Sequence, residues 1–266
     1  MLKKRLIPVL FLKNGLIVRS QEFYDFRELG NPIHQLQRLN DWLADEVVYI
    51  NITRDGAHDL KRDDQKIKSE RDLLKILEAI SKQCFMPLTF GGRISSFEDA
   101  AAFIANGADK VIINSYAYRN PKLITDIAKH FGSQCVVVGI DVRREGAEHR
   151  LYIDQGETSV DISPLEWARR VVDLGAGEIF LNSIDRDGTA SGFDLEIIQK
   201  ISDGVRIPVI ACGGAGNARH FKEVLEKTNA SAIAAGNMFN FTENAYIRIK
   251  KELIAAHFPV KPFTYG

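Results

Sequence analysis

Short runs rich in Val, Ile, Leu and Phe recur along the chain, and each gives way to a polar loop and a helix-length segment. The runs cover residues 5–12, 46–52, 86–90, 110–114, 135–141, 178–184, 207–212 and 232–236. They are mostly continuous rather than alternating, which is the pattern of parallel strands buried on both faces. Between them, apolar residues at helical spacing predict helices over 72–81, 96–106, 121–130, 164–174 and 218–227. Ser96 with Asp99 reads as a capping box, and Ser163 before Pro164 as an N-cap followed by proline at the first helical position. Eight strand–helix units in one chain predict a (β/α)₈ barrel. No Pro/Gly/Ser-rich linker divides it, so residues 1–266 read as one domain, with half-barrels of about 1–130 and 131–250 and a tail over 251–266. The polar stretch 53–71 after the second run reads as a mobile lid, solvated over 59–71.

Length and composition narrow the function. A chain of 266 residues is long enough for one large barrel core. Lys plus Arg and Asp plus Glu number 35 each, so bulk charge does not hold this protein to nucleic acid or to a membrane surface. No apolar run reaches the roughly 18 residues of a membrane span. The basic and apolar start is interrupted by Lys13, Asn14 and Gly15, and it reads as a first strand rather than a signal peptide. Three scattered cysteines fit a reducing cytoplasm and small core positions better than disulfides or a metal site. The six histidines show no ligand spacing, and the sequence implies neither a metal nor a cofactor.

The two halves of the chain repeat. EVVYINITRDG, beginning at Glu46, aligns without a gap on EIFLNSIDRDG, beginning at Glu178. Gly91-Gly92 aligns on Gly213-Gly214, and the same offset sets Asn114-Ser115 on Gly236-Asn237. A Gly-Gly pair just past a strand lets backbone N–H groups approach an anion closely. In barrels the loops after strands seven and eight commonly bind phosphate on the C-terminal face. Gly213, Gly214, Gly236 and Asn237 stand there, and the repeat predicts a second cradle at Gly91, Gly92, Asn114 and Ser115. Two cradles across one mouth suit a small ligand with a phosphate at each end. A single Gly-Gly is more often a turn without a ligand; two in register favour phosphate. Asp185 and Asp187 also fit a plain turn, since Asp-Arg-Asp-Gly is a good turn sequence.

Charged residues open four of the predicted strands: Arg5, Glu46, Lys110 and Glu178. Pointing inward they are costly unless paired, and two of each sign can close a neutral ring at the N-terminal face. At the other face Asp141 ends the fifth run, where barrel enzymes place catalytic groups. Its competing role is that of a loop-ordering carboxylate.

The segments FGSQCVVVGIDVRR, GAGEIFLNSIDRDGTASGFD, PVIACGGAG and GADKVIINSYA resemble the HisF family, the cyclase subunit of imidazole glycerol phosphate synthase, from Met1 to about Phe241. The resemblance implies a class I glutaminase partner (HisH-like) at the N-terminal face and ammonia passing through the barrel. At the C-terminal face it implies attack on a bisphosphorylated nucleotide, giving imidazole glycerol phosphate and an aminoimidazole nucleotide. Family phosphate contacts map onto Gly92, Asn114 and Ser115, and onto Asp187, Gly188, Gly214 and Asn237. The four strand-opening charges map onto the gate of the ammonia channel, and Asp109 onto a position that meets the glutaminase.

The same resemblance exposes departures. The family uses two aspartates as general acid and base; strand five keeps Asp141, but the strand-one position is Phe11. A phenyl ring moves no proton, and such help is worth about 10²–10⁴-fold. Asn51 stands where strand two ends in aspartate, and Arg93 replaces the third glycine of a Gly-Gly-Gly, where it can grip a phosphate or carboxylate. Phe11, Asn51 and Arg93 are therefore candidates for changed selectivity. They resemble a divergent branch that accompanies bacterial surface-polysaccharide genes such as those for lipopolysaccharide. There a glutaminase–barrel pair supplies ammonia for turning an acetamido sugar into an acetamidino sugar, with a separate amidotransferase-like protein doing the chemistry. The alternatives are the parent cyclase of histidine biosynthesis and a non-catalytic conduit that activates the glutaminase.

Overall fold

A computed structural model of the chain describes residues 3–53, 72–241 and 244–263. Eight strands form a closed parallel barrel: β1 (Arg5–Lys13), β2 (Val47–Asn51), β3 (Leu88–Gly91), β4 (Lys110–Ile113), β5 (Val136–Glu145), β6 (Glu178–Ser183), β7 (Val209–Cys212) and β8 (Ala232–Ala235). Each strand pairs with the next in sequence, β5 pairs with β6, and β8 returns to β1 in the register Arg5↔Ala232. All eight predicted runs are barrel strands. The proposed lid lies outside the described residues except for Thr53.

The continuous apolar runs find their explanation in two nested cores. Ile7, Val9, Phe11, Val48, Ile112, Val137, Phe180 and Ile210 fill the barrel interior. Residues one position away, such as Leu6, Leu10, Val47, Val111, Val136 and Ile179, face the helices in a second and larger cluster. Side chains alternate between faces along a strand, so a strand with a core on each side must be apolar throughout.

The predicted helices form at Leu73–Ser81, Phe97–Ala105, Lys122–Phe131, Pro164–Asp173 and Ala218–Lys227. Asp72 caps the first by accepting from the Leu74 N–H, the Ser96–Asp99 box is closed in both directions, and Ser163 accepts from the Glu166 N–H. Pro32–Asp41, Leu195–Gly204 and Ala245–Ala255 complete the outer layer.

Two antiparallel extensions were not foreseen. Leu16–Gln21 folds back on β1, with Phe11 opposite Val18, and continues into Asp25–Gly30. Its turn is Asn14-Gly15, both at positive φ, the two-residue hairpin signal. Glu148–Ile153 and Thr158–Val160 extend β5 in the same way, with Asp141 opposite Tyr152. Both extensions stand over the C-terminal mouth. At the floor, Lys250 and Asp45 form an ion pair of 2.7 Å with each side chain only 1% exposed. The Asp45 carboxylate also accepts from the Leu6 N–H, tying the last helix to the start of β1.

Candidate functional site

The C-terminal ends of the strands enclose a cavity of about 380 Å³. Asp141 (β5) and Phe11 (β1) both line it, as do Asn51, Gly92, Arg93, Asn114 and Ser115. The strand periodicity puts them there: Val137, Gly139 and Asp141 share the inward face of β5, as Ile7, Val9 and Phe11 do on β1. Gly92 sits at φ +102°, and a Cβ there would come within 2.0 Å of the Asn51 carbonyl oxygen, so only glycine brings this loop so close to β2.

Asp141 is buried and accepts a 2.7 Å hydrogen bond from the Asn114 amide, with Asn182 beside it on the next strand. Burial pushes its carboxyl up to about 7; the Asn114 bond pulls it down, the Asp187 carboxylate pushes it up, and the neighbouring Asn182 amide pulls it down slightly. A carboxyl poised there can both accept and donate a proton near neutral pH. Phe11 brings no titratable group to its end of the cavity. Its ring packs where a side chain on Gly236 would sit, with Cε2 at 3.5 Å from that position. The Asn51 side chain is turned to its own loop, accepting from the Thr53 hydroxyl at 2.8 Å.

The two glycine cradles are used differently. Gly92, Arg93, Asn114 and Ser115 open on the cavity. Across the mouth, the hairpin after β1 lies on the second set. The Asn237 amide donates to the Ser20 carbonyl at 2.6 Å, the Ser20 hydroxyl donates to the Asp187 carboxylate at 2.6 Å, and the Glu22 N–H donates to the Asp187 carbonyl at 3.0 Å. A Cβ on Gly188 would lie 2.3 Å from the Ser20 carbonyl oxygen. Gly213 and Gly214 are buried at positive φ, and the Gly214 carbonyl accepts from the Gly192 N–H at 2.8 Å.

At the floor, Arg5, Glu46, Lys110 and Glu178 form one ring. Arg5 bonds Glu46 at 2.5 Å and also bonds Glu178; Lys110 reaches Glu46 at 2.8 Å and Glu178 at 3.0 Å. The Thr89 hydroxyl adds a 3.1 Å bond to Glu46. Burial works against the Arg5 charge, and the two glutamates outweigh it, holding its pKa above the ordinary arginine value. Asp109 lies beside the ring, exposed, with its carboxylate accepting from the Leu88 N–H at 2.8 Å.

Comparison with known proteins bears on this barrel as a whole. A family model described as "Histidine biosynthesis protein" matches residues 5–244. The imidazole glycerol phosphate synthase subunit HisF of Bacillus cereus (strain G9842) is 41% identical, over 98% of this chain and all of the relative. That of Alkaliphilus metalliredigens (strain QYMF) is 42% identical, over 95% of this chain and 96% of the relative. The chain belongs to the HisF family. The HisF relatives are named as subunits of imidazole glycerol phosphate synthase.

Several groups of this HisF-family site escaped sequence reasoning. Asn182 is the most telling. Glu178, Phe180 and Asn182 alternate inward along β6, so the inward glutamate already implied an inward amide at the mouth. The His149 ring is largely covered and bonds Asp194, 2.8 Å away, beside Arg144, and this cluster fastens the hairpin after β5 to the N-terminus of Leu195–Gly204. No single-residue spacing announces such a pairing. Among the described residues there is no group of three His, Cys, Asp or Glu side chains placed to share a metal ion, and no helix long and apolar enough to cross a membrane.

Proposed function

We propose that this chain takes ammonia from a class I glutaminase seated on its N-terminal face and delivers it along the barrel axis to a phosphorylated acceptor at the mouth. It is a divergent member that supports amidination of a surface-polysaccharide sugar. The observation that carries the divergent reading is Phe11. The parent reaction needs a second acid–base group facing Asp141, and the side chain at that end of β1 is a phenyl ring lining the same cavity. With Asp141 alone, one proton can be held or moved at its carboxylate, whereas the parent cyclisation and carbon–nitrogen cleavage call for two such groups. A separate amidotransferase-like protein then completes the chemistry on the sugar. Arg93, beside Gly92 and Asn114, is the candidate grip for a phosphate or carboxylate of the acceptor.

The ring Arg5–Glu46–Lys110–Glu178 is the candidate gate. It closes the axis with paired charge, and the interior above it is apolar, which favours passage of a small neutral molecule over an ion. Arg5→Ala is expected to alter glutamine-dependent turnover more than turnover with added ammonium. Equal effects on both would make the ring a structural plug.

The names of the relatives favour a second reading, the histidine-pathway cyclase. Complementation of a histidine auxotroph lacking the cyclase separates the two. The divergent reading expects no growth with the natural chain and growth with Phe11→Asp; growth with the natural chain overturns it. Co-purification with a class I glutaminase checks the partner, and failure to bind one removes the conduit.

A further inference from the structure

The two glycine cradles differ in whether a ligand in the mouth can reach them. The cavity is lined by Gly92, Arg93, Asn114 and Ser115 on one side, and on the other it ends at Phe11, Ser20 and Phe23. Gly188, Gly214 and Asn237 do not line it. What separates them from the cavity is β1 and the hairpin that follows it. The Phe11 ring packs over Gly236, and Ser20, only 1% exposed, lies across Gly188 and Asn237.

Ser20 takes the place of a ligand there. Its carbonyl oxygen accepts from the Asn237 amide at 2.6 Å, and a Cβ on Gly188 would collide with that oxygen and with the Gln21 Cα. The absent side chain of Gly188 therefore admits the chain's own backbone, where it could have admitted a phosphate oxygen. The charge at this cradle is also of the wrong sign for an anion. The Asp187 carboxylate accepts from the Ser20 hydroxyl at 2.6 Å. Burial raises its pKa, the bonds from the Ser20 hydroxyl and the Phe23 N–H lower it, and the Glu22 carboxylate raises it again. A phosphate entering here would have to displace the clasp and would then meet two carboxylates.

The open cradle has the reverse character. The Ser115 hydroxyl oxygen accepts from the Asp154 N–H at 2.8 Å, which leaves its proton to be donated, whereas Ser20 gives its proton to Asp187. Two guanidinium groups, Arg93 and Arg119, line the cavity, and Arg119 shares its charge with Asp154 at 2.7 Å. A guanidinium and a hydroxyl donor beside a glycine suit one phosphate. Away from that cradle the lining is largely aromatic, with Phe11, Phe23, Phe26 and Phe180.

We propose that the mouth takes an acceptor with one phosphorylated end, seated at Gly92, Arg93 and Ser115, and that Ser20 closes the second cradle to a further phosphate. The far end of the acceptor is uncharged and lies against the phenyl rings. Phe11 and the hairpin behind it thus set the substrate class as well as removing an acid–base group. This selectivity rests on the phosphorylated acceptor proposed above and narrows it from two phosphates to one.

Amide NMR and calorimetry on the full chain test it without glutaminase or ammonia. With inorganic phosphate as the probe, the Gly92 and Ser115 amides should shift to saturation while those of Gly188 and Gly214 stay in place. Calorimetry should find one phosphate bound per chain. Alkanediol bisphosphates of graded length, up to spans longer than the mouth, are then compared with the matching monophosphates. At every length the bisphosphate should bind no more than about twofold tighter, the factor for two equivalent ends; a second open cradle would add about a hundredfold by linkage. Saturating shifts at Gly188 and Gly214, two phosphates per chain, or a bisphosphate gain of about tenfold or more overturn the single-phosphate mouth and leave the phosphorylated acceptor standing. If neither probe moves Gly92 and Ser115, the phosphorylated acceptor falls and this selectivity falls with it.

Discussion

The floor and the mouth of this barrel each bury acidic side chains on neighbouring strands, and they treat them in opposite ways. At the floor, Glu46 and Glu178 are each gripped by both Arg5 and Lys110. At the mouth, Asp141 is held by amides with Asp187 nearby, and its carboxyl is driven up to about 7. Burial is similar; the counter-charge is not. One end has spent its electrostatics on closure, while the other keeps a group whose charge is easily changed. Functional sites are commonly less stable than the same scaffold could make them, and here the contrast lies along one axis.

The largest expected loss of stability comes from the floor. Glu178→Gln removes one of two carboxylates and leaves Arg5 and Lys110 sharing Glu46. Breaking a buried pair typically costs 3–5 kcal/mol, and the cations here are 23% and 19% exposed, so about 3 kcal/mol is expected. Chemical denaturation at neutral pH measures it. A cost below about 1 kcal/mol would mean that the ring is as weakly coupled as a surface pair.

The mouth should respond with the other sign. The folded pKa of Asp141 lies above its unfolded value, so the folded protein binds a proton that the unfolded chain releases between about pH 4 and 7. Its contribution to stability is present below that window and is lost as the pH rises through it. Asp141→Asn keeps an acceptor for Asn114 and removes the titration. The variant should be about 4 kcal/mol more stable than the natural chain at pH 8, the worth of about three pKa units, with the difference shrinking toward zero near pH 4, as followed by denaturation across pH. Destabilisation that is the same at both pH values would show that the two ends are not opposites.

How far all this was legible from the chain follows the same division. The eight strands and five helices could be read because burial on two faces and cap residues leave local marks, as Ser96 with Asp99 and Ser163 with Pro164 do. The floor charges could be read because they open strands in a fixed phase. The hairpins were harder: Asn14-Gly15 is a strong turn signal, but it falls inside an apolar stretch that otherwise reads as one strand running to a loop. The twofold repeat relates the two glycine loops in sequence, yet nothing local in Gly188 or Asn237 tells that Ser20 lies across them. That contact joins residues 217 positions apart, and only the closed barrel brings them together. The Lys250–Asp45 pair is hidden for the same reason, 205 positions apart.

The smallest effect sharpens the contrast within the mouth itself. The Asn237 side chain accepts from the Ser20 N–H at 3.3 Å and donates to the Ser20 carbonyl at 2.6 Å, clasping the hairpin over the second cradle. Two such bonds at a half-buried position are worth roughly 1 kcal/mol together, since each replaces a bond to water. Asn237→Ala should therefore lower global stability by no more than that. Its local signature should be larger: amide exchange in Leu16–Gln21 should speed about fivefold, while that in Glu148–Ile153, the hairpin over the other cradle, stays unchanged. If both hairpins loosen together, they form one cooperative cover and the two halves of the mouth are not independent. If neither does, the Ser20–Asp187 bond alone holds the first hairpin, and the second cradle is closed by a carboxylate, not an amide.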